Sequence, residues 1–322
     1  MGRADFHYDF PHRSLLSIAD LNPLDVQMLL ERAGHWHAIN RTPDKKHDPL
    51  KGLTQINLFF ENSTRTQASF ELAGKRLGAD VVNFSVSASS TAKGETLADT
   101  ARTLAAMNPD LLVVRHKASG APDFIARETG LSVINAGDGT REHPTQALLD
   151  AFALTERLGD VGGRRILIVG DILHSRVARS NVLLLSLLGA QIRLCAPPTL
   201  LPADADRWGV DVFHDLDDAI EGCDAVMTLR LQKERMSGGY IPSEREYFRF
   251  YGLTHRRMEA AQPGALVLHP GPMNRGVEID GALADDEEVS LILDQVEAGV
   301  AVRMAVLEML GEQTRRNEER RR

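Results

Sequence analysis

Cysteine is nearly absent, with only Cys195 and Cys223 in 322 residues. They stand too far apart for a CxxC pair and are too few for a disulfide framework, so a reducing compartment, the cytoplasm, is expected. Long apolar runs are missing as well. The longest, Val182 to Ala190 with Ser186 inside it, covers about nine residues where roughly 20 are needed to cross a bilayer, and it reads as a buried helix. From Met1 to Leu21 the chain interleaves His, Asp, Arg and Pro without the apolar core of a signal peptide, and Phe6 stands where a myristoylation signal needs Ser or Thr. Neither export nor a membrane location is expected. An excess of charge is lacking too: 37 Lys and Arg against 45 Asp and Glu leave a net charge of -8 from mixed signs, with no general pull toward nucleic acid or an anionic membrane. Any anion must be held locally.

Other absences narrow the chemistry. The loop Gly170-Asp171-Ile172-Leu173-His174-Ser175 has one Gly where a dinucleotide fingerprint needs three, so Ile166 to Gly189 is not read as a Rossmann unit. The eleven histidines are scattered and neither cysteine has a neighbour at zinc-site spacing, so no metal is expected. There is no internal repeat. The one biased segment, Arg315 to Arg322, reads as a frayed, solvated helix end.

What is present is a globular α/β pattern. The 43% hydrophobic content can fill two cores, and the length suits two domains of roughly 150 residues each. Segments suited to strands, at 54–60, 80–84, 111–114 and 132–135, alternate with helical patterns at 67–77 and 95–107. The second half repeats the alternation: strands at 165–169, 191–195, 225–229 and 265–268 accompany a helix at 179–188. Pro144 can open a helix over 143–158 that bridges the halves, because its missing N–H would be unpaired there anyway. Val289, Ile292, Leu293, Val296, Val300 and Leu307 mark one face of a long terminal helix, with Asp285 to Glu288 suited to its positive end.

The segment Phe60-Glu61-Asn62-Ser63-Thr64-Arg65-Thr66 follows a strand and opens a helix. Three hydroxyls, a guanidinium and first-turn amides can converge there on a phosphate, and capping alone does not account for Arg65. Ser89 to Glu95 is a small polar loop carrying Lys93, suited to a lid. Arg115 follows a strand, and ligands in open α/β sheets bind outside the carboxyl ends of strands. His143 and Gln146 lie one turn apart at a helix start and can face one ligand. Taken together these groups suit an acyl phosphate: cations and amides for its phosphate, donors for the carbonyl oxygen that becomes negative on attack.

The motifs Ser63-Thr64-Arg65-Thr66 and His143-Pro144-Thr145-Gln146 resemble those of the transcarbamoylases. In the second half, Arg230-Leu231-Gln232-Lys233-Glu234-Arg235, Asp171 to Ser180 and His269-Pro270-Gly271-Pro272 resemble the aspartate-using members. The Ser-Met-Gly and His-Cys-Leu-Pro elements of the ornithine enzymes are absent. The resemblance implies two domains, each a mainly parallel sheet flanked by helices, with a C-terminal helix packing back on the first. It places carbamoyl phosphate binding in residues 1–146, aspartate binding in 147–290 and the returning helix in 291–322. It implies an early step of de novo pyrimidine biosynthesis, carbamoyl phosphate plus L-aspartate giving N-carbamoyl-L-aspartate and phosphate, without cofactor.

The resemblance also implies site roles. Ser63, Thr64, Arg65, Thr66, Ser89, Arg115, His143, Gln146, Pro270, Gly271 and Pro272 would hold carbamoyl phosphate. Arg65, Thr66, Lys93, Arg115 and His143 would be catalytic, and the peptide bond before Pro272 would be cis. Lys93, Arg176, Arg230, Gln232, Gly271 and Pro272 would hold aspartate. Ser89 and Lys93 would come from a neighbouring subunit of a homotrimer with shared sites. Val177, where the regulated bacterial form has Thr, and the segment 273–279 look like chains that work without the zinc-bearing regulatory subunit; some such chains assemble with dihydroorotase or a dihydroorotase-like partner.

Overall fold

A computed structural model describes residues 10–85, 96–236 and 239–320. Among these residues nine strands form two wholly parallel sheets. The first holds β1 (Thr54–Phe59), β2 (Asp80–Ser85), β3 (Leu111–His116) and β4 (Ser132–Asp138) in the order β2-β1-β3-β4. The second holds β5 (Arg165–Val169), β6 (Gln191–Cys195), β7 (Asp211–Phe213), β8 (Ala225–Thr228) and β9 (Leu266–Leu268) in the order β7-β6-β5-β8-β9. The helices are α1 (Pro23–Asn40), α2 (Thr64–Arg76), α3 (Leu97–Ala105), α4 (Ala121–Thr129), α5 (Pro144–Leu158), α6 (Arg176–Leu187), α7 (Leu216–Ile220), α8 (Glu244–Tyr251), α9 (His255–Met258), α10 (Gly281–Ala284) and α11 (Ile292–Glu319). Each fully covered strand reads as a nearly continuous apolar run, as in Leu111 to Val114 and Ile166 to Val169, because helices flank both faces of a parallel sheet.

Local chemistry fixes the helix starts. Asn22 accepts from the Leu24 and Asp25 amides at 2.8 and 3.0 Å while Asp25 accepts from the Asn22 amide at 2.8 Å, a reciprocal cap with Pro23 in the first turn. Helix α5 opens at Pro144 with His143 as its N-cap residue, and every residue from Pro144 to Leu154 is buried. It packs on α1, α6 and α11 and so joins the two sheets.

Helix α11 returns to the first domain and packs on α1, α2 and α5. The Arg303 guanidinium lies 5.1 Å from the centroid of the Phe70 ring, and Trp36 Nε1 donates to Glu308 at 2.7 Å. Of the inward face expected for α11, Ile292 and Leu307 are buried and Val300 packs on the core, but the rest differs. Leu293 and Val296 are exposed, whereas Gln295, Ala298, Ala301, Val302 and Ala305 are buried. Polar Gln295 and Arg303 face inward because the interior offers them partners, and that displaces the apolar stripe. Two further expectations are corrected. Asp285 and Asp286 lie before α11 and pair with Arg275 and His255 instead of its N-terminal amides. Arg315 is docked, not free, donating to the Pro49 and Lys51 carbonyls at 2.7 and 2.6 Å.

Candidate active site

The segments that follow β1 and β4 meet those that follow β5, β8 and β9: Glu61 bonds Arg176 and Arg235, Arg235 also reaches the Gly139 carbonyl, and Arg65 lies against Gly271. Ser63 is the N-cap residue of α2, yet its hydroxyl does not cap the helix and donates instead to Thr66 Oγ1 at 2.9 Å. With no acidic residue in the first turn, the helix end stays available to an anion. Arg65 rises from this turn toward the other domain. Burial and the charge of Arg230 lower its pKa, so two cations from different domains repel across a gap that an anion would fill.

Arg115 lies at the end of β3, buried, donating to the Ala136 carbonyl at 3.1 Å and to Glu61 at 3.0 Å. Burial and then the nearby charge of Arg176 push its pKa down to about 9. Gly137 makes room for it: at φ 115°, a Cβ there would stand 2.9 Å from Arg115 Nη1 and 3.1 Å from Arg176 Cζ.

The amide of His143 donates to Ser180 Oγ at 2.8 Å, and its ring is buried with Nδ1 unpartnered. Burial, followed by the charges of Arg115, Arg303 and Arg176, drives the imidazole pKa well below its ordinary value. The ring is therefore neutral and can offer one N–H to an oxygen that gains negative charge. One turn later, Gln146 Nε2 donates to the buried carboxylate of Asp150 at 2.8 Å.

From the second domain, Arg176 opens α6 beneath the Ser175 cap and grips Glu61 with two bonds, Nη1 to Oε2 at 3.2 Å and Nη2 to Oε1 at 2.7 Å. Arg235 reaches the same carboxylate at 3.4 Å and the carbonyls of Gly139 and His174 at 2.7 and 3.1 Å. Burial would raise the Glu61 pKa, but the Arg176 bond and the charges of Arg176, Arg115 and Arg235 outweigh it and hold the pKa below the usual carboxylate range. Gln232 donates its amide N–H to Asp171 at 3.1 Å and its Nε2 to the His174 carbonyl at 3.0 Å, and Arg230 pairs with Glu234. After β9, His269 Nδ1 accepts the Gly271 amide at 2.8 Å, which leaves Nε2 as the protonated nitrogen facing Glu278 at 3.1 Å. The Gly271–Pro272 bond is cis.

Two family models match this chain: the carbamoyl-P binding domain of aspartate/ornithine carbamoyltransferases over residues 13–156, and their Asp/Orn binding domain over 162–310. The chain belongs to the aspartate/ornithine carbamoyltransferase family. An aspartate carbamoyltransferase catalytic subunit from Maricaulis maris is 71% identical over 98% of this chain and 99% of that relative. One from Parvibaculum lavamentivorans is 63% identical over 94% and 92%. Among solved structures, aspartate transcarbamoylase from Trypanosoma cruzi in complex with carbamoyl phosphate and aspartate superposes with a TM-score of 0.81 at 34% identity, covering 92% of this chain and 96% of that one. Ornithine carbamoyltransferase from Thermus thermophilus shares the fold at a TM-score of 0.82 and 24% identity, covering 93% and 99%.

Of the expected site residues in this carbamoyltransferase, Arg65 lies against Gly271 and near Arg230, and Arg115 lies near Arg176 and His143; Ser63 to Thr66 open α2 beside Arg65, and Gln146 stands one turn from His143. Ser89 and Lys93 lie outside the described residues. Gln232 stands at the cleft with its amide nitrogen spent on a carbonyl. Two participants escaped the sequence reading, Glu61 and Arg235. Glu61 sits two residues before Ser63, and a lone acid beside a cationic anion site was a signal in its own right. Among the described residues, no group of three or more His, Cys, Asp or Glu gathers as a metal site, and no helix is long and apolar enough to cross a membrane.

Proposed function

We propose that the chain is the catalytic subunit of an aspartate carbamoyltransferase, moving the carbamoyl group of carbamoyl phosphate onto the L-aspartate amine, an early step of pyrimidine biosynthesis. The observation that carries this reading is the convergence of Arg65 and Arg115 from one sheet with Arg176 and Arg230 from the other. A phosphate and two carboxylates are the anions that such a divided set of guanidiniums suits. High identity to catalytic subunits of that name supports the choice of acceptor.

Carbamoyl phosphate binds first, its phosphate held by Ser63, Thr64, Arg65, Thr66 and Arg115. Thr66, Arg115 and neutral His143 polarise the carbonyl, while Gln146 and the backbone at Pro270 and Gly271 position the carbamoyl NH₂. Aspartate follows with its carboxylates on Arg176 and Arg230, helped by Lys93 and Gln232. Its neutral amine attacks the carbonyl carbon to form a tetrahedral intermediate, whose C–O bond to phosphate then breaks. The departing phosphate takes the amine proton as that bond breaks. Rate enhancement comes from positioning and preorganised charge.

The working unit is a homotrimer in which Ser89 and Lys93 enter from a neighbour, in the cytoplasm, where the free, buried thiols Cys195 and Cys223 stay reduced. Association of trimers with a dihydroorotase, a dihydroorotase-like chain or a regulatory chain is a further level of assembly open to it. An assay of carbamoyl transfer to aspartate and to ornithine, in buffer with EDTA, tests the reading. Aspartate should be strongly preferred and activity should survive chelation; ornithine turnover at or above the aspartate rate overturns the assignment, and loss of activity that a divalent ion restores overturns the metal-free mechanism.

A further inference from the structure

Asp150, on the second turn of α5, touches none of the arginines of the cleft and is fully buried, yet it gathers donors from three helices. Its Oδ1 accepts from Gln146 Nε2 at 2.8 Å and from Gln295 Nε2 at 2.7 Å, and its Oδ2 accepts from Asn181 Nδ2 at 2.8 Å. Gln295 in turn accepts the backbone N–H of His269 on its Oε1 at 2.9 Å. A carboxylate only accepts, so it takes the amino end of each neighbouring amide and fixes which way round the amide lies. Turning Gln146 over would set its oxygen against the carboxylate. Turning Gln295 over would do the same and would also set an N–H against the N–H of His269.

We propose that Asp150 is a positioning residue that makes the cleft selective for a carbamoyl group, by holding Gln146 with its carbonyl oxygen toward the substrate NH₂ and, through Gln295, by fixing the loop that begins at His269. This rests on the function proposed above. The NH₂ is a donor and needs acceptors, and a cleft that orients two acceptor-bearing elements from one carboxylate reads that group as a unit. The analogue that isolates the effect is acetyl phosphate, which keeps the phosphate and carbonyl but carries a methyl in place of the NH₂. Burial pushes the Asp150 carboxyl up to about 6, against the pull of the three amides and of Arg303 on α11, so it is ionised at neutral pH.

The test compares the carbamoyl phosphate KM with the inhibition constant of acetyl phosphate at saturating aspartate. Asp150→Leu removes the acceptor at similar volume and should raise the carbamoyl phosphate KM roughly tenfold, while the acetyl phosphate constant moves by less than about threefold. Gln295→Met, which leaves Asp150 in place, is the milder variant should the first fail to fold, and it should raise the same KM by about fivefold with the same asymmetry. If both constants rise by one factor in a folded variant, or if neither changes, Asp150 does not position these amides. The wild-type protein is assayed first: absence of carbamoyl transfer there sinks the proposed function, whereas an active wild type with symmetric variants sinks only this inference.

Discussion

Arg65 of the first domain lies so close to Gly271 of the second that a Cβ on Gly271 would stand 2.8 Å from the Arg65 Cζ. The glycine also sits at φ 64°, where a side chain is strained. One position therefore controls both the cis-proline loop and the placement of the phosphate-site arginine.

Gly271→Ala should push the Arg65 guanidinium away from the phosphate site. The expected result is a rise in the carbamoyl phosphate KM of about tenfold or more, with a stability loss of roughly 1 kcal/mol from the left-handed backbone. Steady-state kinetics and urea unfolding check the two effects. An unchanged KM would show that Arg65 does not depend on this contact.

Glu61 pairs with three guanidiniums that come from both domains, leaving the cluster with a net positive charge. Glu61→Ala leaves Arg115, Arg176 and Arg235 facing one another with no anion between them, which should favour separation of the domains. A fall in kcat/KM for aspartate of about a hundredfold is expected, together with a larger radius of gyration by X-ray scattering that substrates partly reverse. A variant as compact and active as the wild type would remove Glu61 from the account.

Asp150 has a folded pKa of about 6, above the 3.8 of an unperturbed aspartate. A group raised in this way contributes its stability fully below the unfolded pKa, and that contribution is lost as pH rises through the folded value. Above pH 7 the buried charge costs up to about 3 kcal/mol. Asp150→Asn carries no such titration, so melting temperatures measured at pH 5 and pH 8 should shift in the variant's favour at the higher pH. A gap between the two proteins that is the same at both pH values contradicts the assignment.

Subunit sharing can be decided by mixing two inactive proteins. Arg65→Ala removes a charge-assisted phosphate contact of about 1.5–3 kcal/mol, and Lys93→Ala removes the cation expected from the neighbouring subunit. After dissociation and random reassembly, some interfaces pair an intact Arg65 with an intact Lys93, and activity should return. Hybrids confirmed by native mass spectrometry that stay as inactive as their parents would exclude a shared site.

Much of the fold was legible because its signals are local. A parallel strand buried on both faces must be a continuous apolar run, as at Leu111 to Val114 and Ile166 to Val169, and Pro144 announces the start of α5 by what its ring forbids. Strands β3 and β4 run past their apolar stretches, to His116 and Asp138, because Arg115 pairs with Phe59 and His116 with Asp138 through the backbone, which polar side chains do not prevent. On helix α11 the expected face holds at Ile292 and Leu307 but not at Leu293 and Val296, because Gln295 is buried between them by bonds to Asp150 and His269 that hydrophobicity does not register.

The sequence by itself determined the alternation of strands and helices, the placing of Ser63 to Thr66, Arg115, His143, Arg176 and Arg230 at or beyond the carboxyl ends of strands, and the anionic chemistry those side chains suit. All of this follows from backbone periodicity and from charges that do not depend on neighbours. Only the tertiary structure decided that Glu61 holds Arg115, Arg176 and Arg235 together, that Arg65 needs a glycine at position 271, and that Asp150 orients Gln146 and Gln295. Apart from Gln146 and Asp150, one turn apart on α5, those relations join residues that are far apart in the chain. They exist because the segments that follow the strands of two sheets meet and bury the contact, where an unpaired charge or amide is expensive and so takes a definite partner.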